Sequence, residues 1–309
     1  MTSARTVLLS GLWMMPVAGW AIASAARRDL RVGHVVLIGV VAALAHAESR
    51  ARDWLRGLYP MVLVALLYDG LRPLKNLGLT AARVHVCDVR ALDARLFGVT
   101  VAGVRMTWHD WFRIHHTLAL DVACSIPYAT FLLFCVAAAV WLCFVDRPAM
   151  HRFTWGFFAL NVLGFATYHV VPAAPPWYFH AHGCSVDLST PPSEGAALAR
   201  VDALLGVGYF RAMYAKGSTV FGAIPSLHCA YPLLVLMQGW RAAGSKLRAA
   251  AVAYWLATVF AAVYLDHHWI LDALVGCTYA AAVGFAVGFG RRPVESVTAR
   301  RLGITEVAK

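Results

Sequence analysis

Eight mostly apolar stretches, near positions 7–26, 32–47, 58–72, 118–145, 153–171, 225–241, 249–266 and 268–290, constrain this chain more than any other feature. A helix needs about 20 such residues to cross a bilayer. Inside lipid every backbone N–H and C=O must be satisfied within the segment, so stretches of this kind read as helices. The second and third are short. The fourth is long and contains Pro127, which predicts a tilt or a kink. Charged residues make up 14% of the 309 positions, against about 25% in ordinary soluble domains. With a mean hydropathy of +0.63, such a chain has too little polar surface to cover a soluble core. The expected fold is all-α, a polytopic membrane helical bundle. Residues 1–57 form a hairpin of two candidate spans, residues 58–290 the main membrane domain, and residues 291–309 a polar cytoplasmic tail. The first stretch is long enough to be a retained span rather than a short signal core. No repeat of solenoid period is visible.

Charge orients these helices. The net charge is +11. A basic balance can signal nucleic acid, but here Arg and Lys fall mainly between apolar stretches, where they set topology and meet anionic headgroups. No nucleic-acid partner is expected. The short basic connections 146–152 and 241–248, and the tail from Arg291, belong in the cytoplasm by the positive-inside rule. With eight spans both termini are cytoplasmic, and the long polar segments 73–117 and 172–224 fall outside with the turn near Asp266. Arg27, Arg28 and Arg31 then also fall outside, against the rule, so six or seven spans stay open. Segment 73–117 is itself basic, either because long loops escape the rule or because it gathers anionic headgroups. Within it Trp108, Trp111 and Phe112 alternate with His109 and Arg113 as an interfacial amphipathic stretch would.

The seven cysteines form no metal-like cluster. Cys124, Cys135, Cys143, Cys229 and Cys277 sit in or beside apolar segments, where a thiol behaves as a small hydrophobe. Cys87 and Cys184 lie in the two outer segments. A disulfide between them is one option, and the sequence favours two unpaired thiols.

Chemistry concentrates in three short segments, and the orientation places all three at the outer surface. His268 and Asp272 are four apart and share a helix face. The carboxylate can hold one imidazole nitrogen and leave the other as nucleophile or base. An Asp in an apolar helix is expensive and marks function by default, though a self-satisfied polar pair gluing helices fits the same spacing. His267 is expected to face outward. In the second segment, Gly222 allows close backbone approach to an oxyanion. Pro225 and Ser226 suit a helix start whose free N–H groups would face a phosphate, and His228 is placed to protonate a leaving alkoxide. An ordinary loop-to-helix start explains these residues equally well. In the third, Arg72 can grip phosphate oxygens bidentately, with Asp69 to orient it and Tyr68 alongside. A snorkelling Arg paired with Asp69 is the plain alternative. His228, His268 and Asp272 could instead ligate a metal, but nucleophile, acid and anion grip are all present without one. Neither metal nor cofactor is expected.

The string Phe221-Gly222-Ala223-Ile224-Pro225-Ser226-Leu227-His228, followed by Tyr264-Leu265-Asp266-His267-His268 and Trp269-Ile270-Leu271-Asp272, resembles the type 2 phosphatidic acid phosphatase superfamily. Its wording is most similar to the inositol phosphorylceramide synthase branch. Pro172-Ala173-Ala174-Pro175-Pro176-Trp177-Tyr178, Tyr68 to Arg72, and Leu92-Asp93-Ala94-Arg95-Leu96-Phe97-Gly98 add to the likeness, which covers residues 60–290 or so. The resemblance implies six core spans and no metal. It implies that His268 attacks phosphorus to form a phosphohistidine, that Asp272 orients it, and that His228 protonates the departing alcohol. Arg72, Ser226 and the Gly222 backbone would hold the phosphate. The phosphatase pattern also carries a Lys where this chain has Ala65, and Ser-Arg where it has Ala261-Ala262. A dianionic monoester wants those cations more than a singly charged diester does. Lys216, Arg211 or a base of segment 73–117 could compensate.

The favoured function is therefore a membrane lipid phosphotransferase that moves a phospho-headgroup such as phosphoinositol from a phospholipid donor to a lipid alcohol acceptor. The rivals are a lipid phosphate or polyprenyl pyrophosphate phosphatase, and a non-enzymatic transporter or scaffold. The expected location is a bacterial plasma membrane with the site facing the extracytoplasmic side. Nothing in the sequence sets an oligomeric state.

Overall fold

The structure, a computed structural model, describes residues 4–46, 49–74, 76–192, 195–215, 217 and 219–289. The polar tail expected at 291–309, and Lys216, lie outside the described residues.

Helices dominate. Three open the chain: α1 (Ala4–Ala26), α2 (Val32–His46) and α3 (Ser49–Leu71). They meet around Val17, Val41, Leu55, Tyr59 and Leu66. The apolar stretch expected from 58 lies in a helix that starts at Ser49. The Arg- and Asp-containing turn before it is polar yet a competent helix former, so the boundary expected at 57 falls inside α3. Trp20 Nε1 donates to Asp69 Oδ2 at 3.2 Å, tying α1 to the end of α3.

Segment 73–117 is a folded cap rather than a loop. It holds α4 (Cys87–Phe97), an antiparallel hairpin of β1 (Val99–Val101) and β2 (Val104–Met106), and α5 (Trp108–Ile114). The hairpin departs from the all-α expectation. Ala102 and Gly103 both have positive φ, 49° and 79°, as a two-residue turn matched to strand twist requires. A capping box between Thr107 and Asp110 starts α5. Phe112 packs on Phe260 and Tyr264 at 5.7 and 5.2 Å between centroids, so this stretch docks onto the bundle with one face.

The bundle consists of α6 (Leu118–Val145), α7 (Arg147–Val170) and, after segment 172–224, α11 (Leu227–Gly239), α12 (Ser245–Tyr264) and α13 (Ile270–Ala286). Asp146 caps α7 through the Ala149 N–H at 2.9 Å, which sets the sharp turn after α6. Leu142, Phe153, Phe157, Leu160, Leu234, Ala280 and Val283 make the shared core of α6, α7, α11 and α13. Ile126, Leu133, Val140 and Phe144 share the opposite face of α6 and stay exposed, an apolar surface suited to lipid. By length and composition, α6 and α12 are long and apolar enough to cross a membrane, while 14–26 of α1, α2, α11 and α13 are apolar but shorter.

Segment 172–224 carries three short helices, α8 (Pro176–His182), α9 (Ala199–Leu205) and α10 (Tyr209–Tyr214). Cys87 and Cys184 are joined by a disulfide with Cα atoms 5.5 Å apart. The sequence preference for two free thiols is thus corrected: α4 and the turn after α8 converge although 97 residues separate them. Backbone bridges from His85 to Ala173 and from Ala173 to Gly222 stitch segments 73–117 and 172–224 together. Arg200 grips Asp121 bidentately at 2.6 and 2.8 Å, and Tyr264 donates to the same carboxylate at 2.9 Å, fixing α9 to α6 and α12.

Candidate active site

Two of the three sequence segments meet directly. His228 Nδ1 lies 3.0 Å from His268 Nε2, across 40 residues of sequence. Ser226 caps α11, its Oγ accepting the Cys229 N–H at 3.4 Å, so His228 sits in the first turn. His268 lies just before α13, in a corner where Asp266 adopts a φ of 67°, a left-handed conformation that Asp tolerates better than most residues. The Gly276 Cα faces the Ser226 backbone so closely that any side chain there would collide with it, which lets α13 lie against the start of α11.

Proton positions follow from the partners. His268 Nδ1 is 3.1 Å from the Ala223 carbonyl. A carbonyl only accepts, so Nδ1 carries the proton and a neutral His268 carries its lone pair at Nε2. The bond between the two rings then has His228 Nδ1 as donor. The arrangement sets an imidazole lone pair against a proton-bearing nitrogen.

Asp272 stands 3.6 Å from His268 Nδ1, through Oδ2. That oxygen also accepts the Trp269 N–H at 2.9 Å, so the Asp272 carboxyl group caps α13 beside the imidazole. The direct orienting bond comes from the Ala223 carbonyl, which no side-chain pattern announces. Ser226 is fully buried, and its N–H donates to the Asp272 carbonyl at 2.9 Å. With N–H and Oγ both engaged, it serves helix start and helix packing. A side chain at Gly222 would meet the Tyr168 ring at 3.1 Å, so glycine there admits Tyr168, whose hydroxyl donates to the Pro225 carbonyl at 3.0 Å.

His267 is the clear correction. Expected to face outward, it is 5% exposed and lies between the rings of Tyr128 and Tyr214. The 265–269 corner is not helical, so helical spacing does not assign its faces.

The segment around Arg72 approaches less directly. Arg72 Nη1 lies 3.9 Å from Asp69 Oδ1, and His34 Nε2 lies 3.6 Å from the same oxygen. Tyr68 packs on Phe165, and Phe165 on Tyr168, both at 6.0 Å. Through Tyr168 this segment reaches Pro225. No hydrogen bond or ion pair joins Arg72 to either histidine among the described residues.

Segments 73–117 and 172–224 brace the 265–269 corner through contacts that sequence reasoning did not single out. His180 bridges Asp266 Oδ2 at 2.8 Å and Asp110 Oδ1 at 3.1 Å, and Arg90 reaches Asp110 at 3.0 Å. Burial pulls the pKa of His180 down, but its bonds to Asp110 and Asp266 outweigh burial and raise it. His109 is buried against Trp269, with ring centroids 5.0 Å apart.

Asp93, seen in the sequence only as part of the family-like Leu92–Gly98 string, is fully buried and accepts the Leu271 N–H at 3.0 Å at the start of α13. Burial raises its pKa to about 6 from 3.8, against the Leu271 bond and with help from nearby Asp272. The folded state therefore holds this proton more tightly than the unfolded chain. Its ionisation costs stability on the order of 3 kcal/mol as pH rises from about 4 through 6. Asp93→Asn keeps an acceptor for Leu271 and removes the charge. Its melting temperature should equal or exceed that of the wild type at pH 8, with the advantage shrinking at pH 5. An advantage independent of pH would contradict this account.

Residues 100–286 match the PAP2 superfamily. The chain belongs to this superfamily, and is a phosphotransferase/phosphatase enzyme of the membrane-lipid kind. Among curated relatives it is 32% identical to the phosphoinositol dihydroceramide synthase of Bacteroides thetaiotaomicron, over 85% of this chain and 86% of that protein. It is also 32% identical to the inositol phosphorylceramide synthase of Candida albicans, over 62% of this chain and 40% of that one. The inositol phosphorylceramide synthase catalytic subunit of Saccharomyces cerevisiae is 29% identical over 60% of this chain and 45% of its own length. No solved structure matches.

Proposed function

We propose that the chain transfers phosphoinositol from phosphatidylinositol to a lipid alcohol of the ceramide kind, through a phosphohistidine at His268. The 3.0 Å approach of His228 Nδ1 to His268 Nε2 carries this reading. In the first step the Nε2 lone pair attacks phosphorus, and the bond from phosphorus to the diacylglycerol oxygen breaks. The proton on His228 passes to that oxygen, and diacylglycerol leaves. In the second step the acceptor hydroxyl returns a proton to His228 and attacks phosphorus, and the N–P bond breaks. Asp272, 3.6 Å from His268 Nδ1, is proposed to stabilise the imidazolium character that develops on His268. Arg72 is proposed to reach the phosphate when substrate is bound, with Lys216 a further candidate. Ala65, Ala261 and Ala262 replace cations that a monoester dianion would want, which favours a diester donor. The relatives' names supply the phosphoinositol donor and ceramide acceptor.

The proposed topology makes α1, α2, α3, α6, α7, α11, α12 and α13 the spans, residues 58–290 the catalytic domain, and segments 73–117 and 172–224 the extracytoplasmic cap of a bacterial plasma membrane protein. The Cys87–Cys184 disulfide within that cap suits an oxidising compartment. On intact cells a membrane-impermeant maleimide should label these two cysteines only after reduction. Labelling that requires broken membranes would reverse the orientation.

The activity assay offers purified protein inositol-labelled phosphatidylinositol, with and without ceramide or diacylglycerol. Label should move to the acceptor lipid only when one is present. Free phosphate released from phosphatidic acid, without acceptor-dependent transfer, would assign a phosphatase instead. Vanadate, which imitates five-coordinate phosphorus, should inhibit, and a chelator should not.

A further inference from the structure

We propose that Tyr214, His267 and Tyr128 form a recognition edge for the hydroxyls of a polyol phosphate headgroup, beside the reacting histidines. The proposal rests on the phospho-headgroup transfer just described and names the groups that select the headgroup.

Four elements build one continuous stack of rings. Tyr214 from α10 lies on His267 at 4.6 Å and 21°. His267 lies on Tyr128 of α6 at 4.8 Å and 22°. Tyr128 lies on His228 of α11 at 4.7 Å and 15°, and His228 meets His268. Tyr128 is fully buried and His267 nearly so. Among the described residues the Tyr128 hydroxyl, the Tyr214 hydroxyl and His267 Nε2 are all buried without a hydrogen-bond partner.

Packing alone does not call for these residue types. Phe131, one turn along α6 from Tyr128, sets its ring against the same His228 at 4.6 Å and brings no polar atom. Phenylalanine at 128 and 214 would stack as well and leave no hydroxyl to desolvate. Three orphaned polar atoms in one stack, next to the nucleophile, therefore point to a ligand that bonds them.

The chemistry of that ligand is narrow. Both faces of His267 and of Tyr128 are covered by neighbouring rings. A quaternary ammonium headgroup binds aromatic faces, and at these two rings none is open. The ring edges remain, and they carry hydroxyl and imidazole nitrogen, which donate or accept as needed. A polyol ring offers hydroxyls that do the same. With phosphorus at His268 Nε2, a headgroup that extends past His228 meets this stack.

Wild type, Tyr128→Phe and Tyr214→Phe can be compared by calorimetric binding of myo-inositol 1-phosphate and of inorganic phosphate, with vanadate inhibition measured in parallel. Wild type should prefer the inositol phosphate by about tenfold or more, and each variant should lose most of that preference while phosphate binds as before. Melting temperatures confirm that each variant is folded, since the ring and its stacking are kept. Unchanged preference in both variants, with vanadate inhibition intact, overturns the recognition edge and spares the transfer mechanism. Equal loss of both ligands makes the stack a support for the phosphate position and also overturns it. A wild type insensitive to vanadate that binds neither ligand removes the transfer reading, and this proposal with it.

Discussion

His268→Ala is expected to abolish transfer to the limit of detection. Nε2 is the one protein atom in the proposed route that bonds to phosphorus, and among the described residues no other side chain stands where it does. Water or acceptor attack in a single step would have to replace two activated displacements with one that lacks a nucleophile held in place. The loss should come with a defined chemical signature. Given labelled phosphatidylinositol and no acceptor, the wild type should retain label in an acid-labile, base-stable form, as an N–P bond requires. His268→Ala should retain none while still binding the donor. Because His268 is 6% exposed, removing the ring leaves a small cavity, so binding of a non-hydrolysable donor or a melting curve must accompany the assay. Undiminished turnover in a folded His268→Ala protein would end the covalent mechanism.

What the sequence reveals here depends on whether a feature is periodic or local. The apolar stretches predict the helices closely: the expected span 118–145 is α6 itself (Leu118–Val145), and 32–47 becomes α2 (Val32–His46). The start of α3 is missed because polar residues continue a helix as readily as apolar ones, and hydropathy cannot see them. The hairpin at 99–106 is missed because six strand residues around an Ala-Gly turn carry a weak signal. In the candidate site, the pairing of His228 with His268 is legible because two motifs from distant parts of the sequence converge. The finer geometry is not. The i, i+4 argument for His268 and Asp272 assumes a helix running through both, yet α13 begins at Ile270. His268 therefore turns its Nδ1 toward the Ala223 carbonyl, a backbone group without side-chain signature. His267 turns inward for the same reason. Tyr128 gives no warning at all, since one aromatic residue in an apolar helix looks like core until its neighbours are known.

His228→Ala should lower transfer by roughly 10²–10⁴-fold, the usual contribution of a positioned acid, and so by less than His268→Ala. His228 makes no bond to phosphorus. It supplies the proton that lets diacylglycerol depart as an alcohol instead of an alkoxide, and the Ala223–His268–His228 chain of hydrogen bonds holds that proton on Nδ1, pointing at the site. Removing the ring leaves the nucleophile in place, because His268 keeps its bond to Ala223. The size of the defect should therefore depend on the leaving group. A phosphodiester with a nitrophenolate leaving group departs without protonation. Against such a donor the variant should approach wild-type rates of phosphoenzyme formation, while remaining severely slow with phosphatidylinositol. If His228→Ala loses the same factor with both donors, His228 positions the nucleophile or the phosphate, and the acid lies elsewhere. A deficit confined to the second step, seen as accumulated phosphohistidine, would instead mark His228 as the base that activates the acceptor hydroxyl and leave its role as acid unsupported.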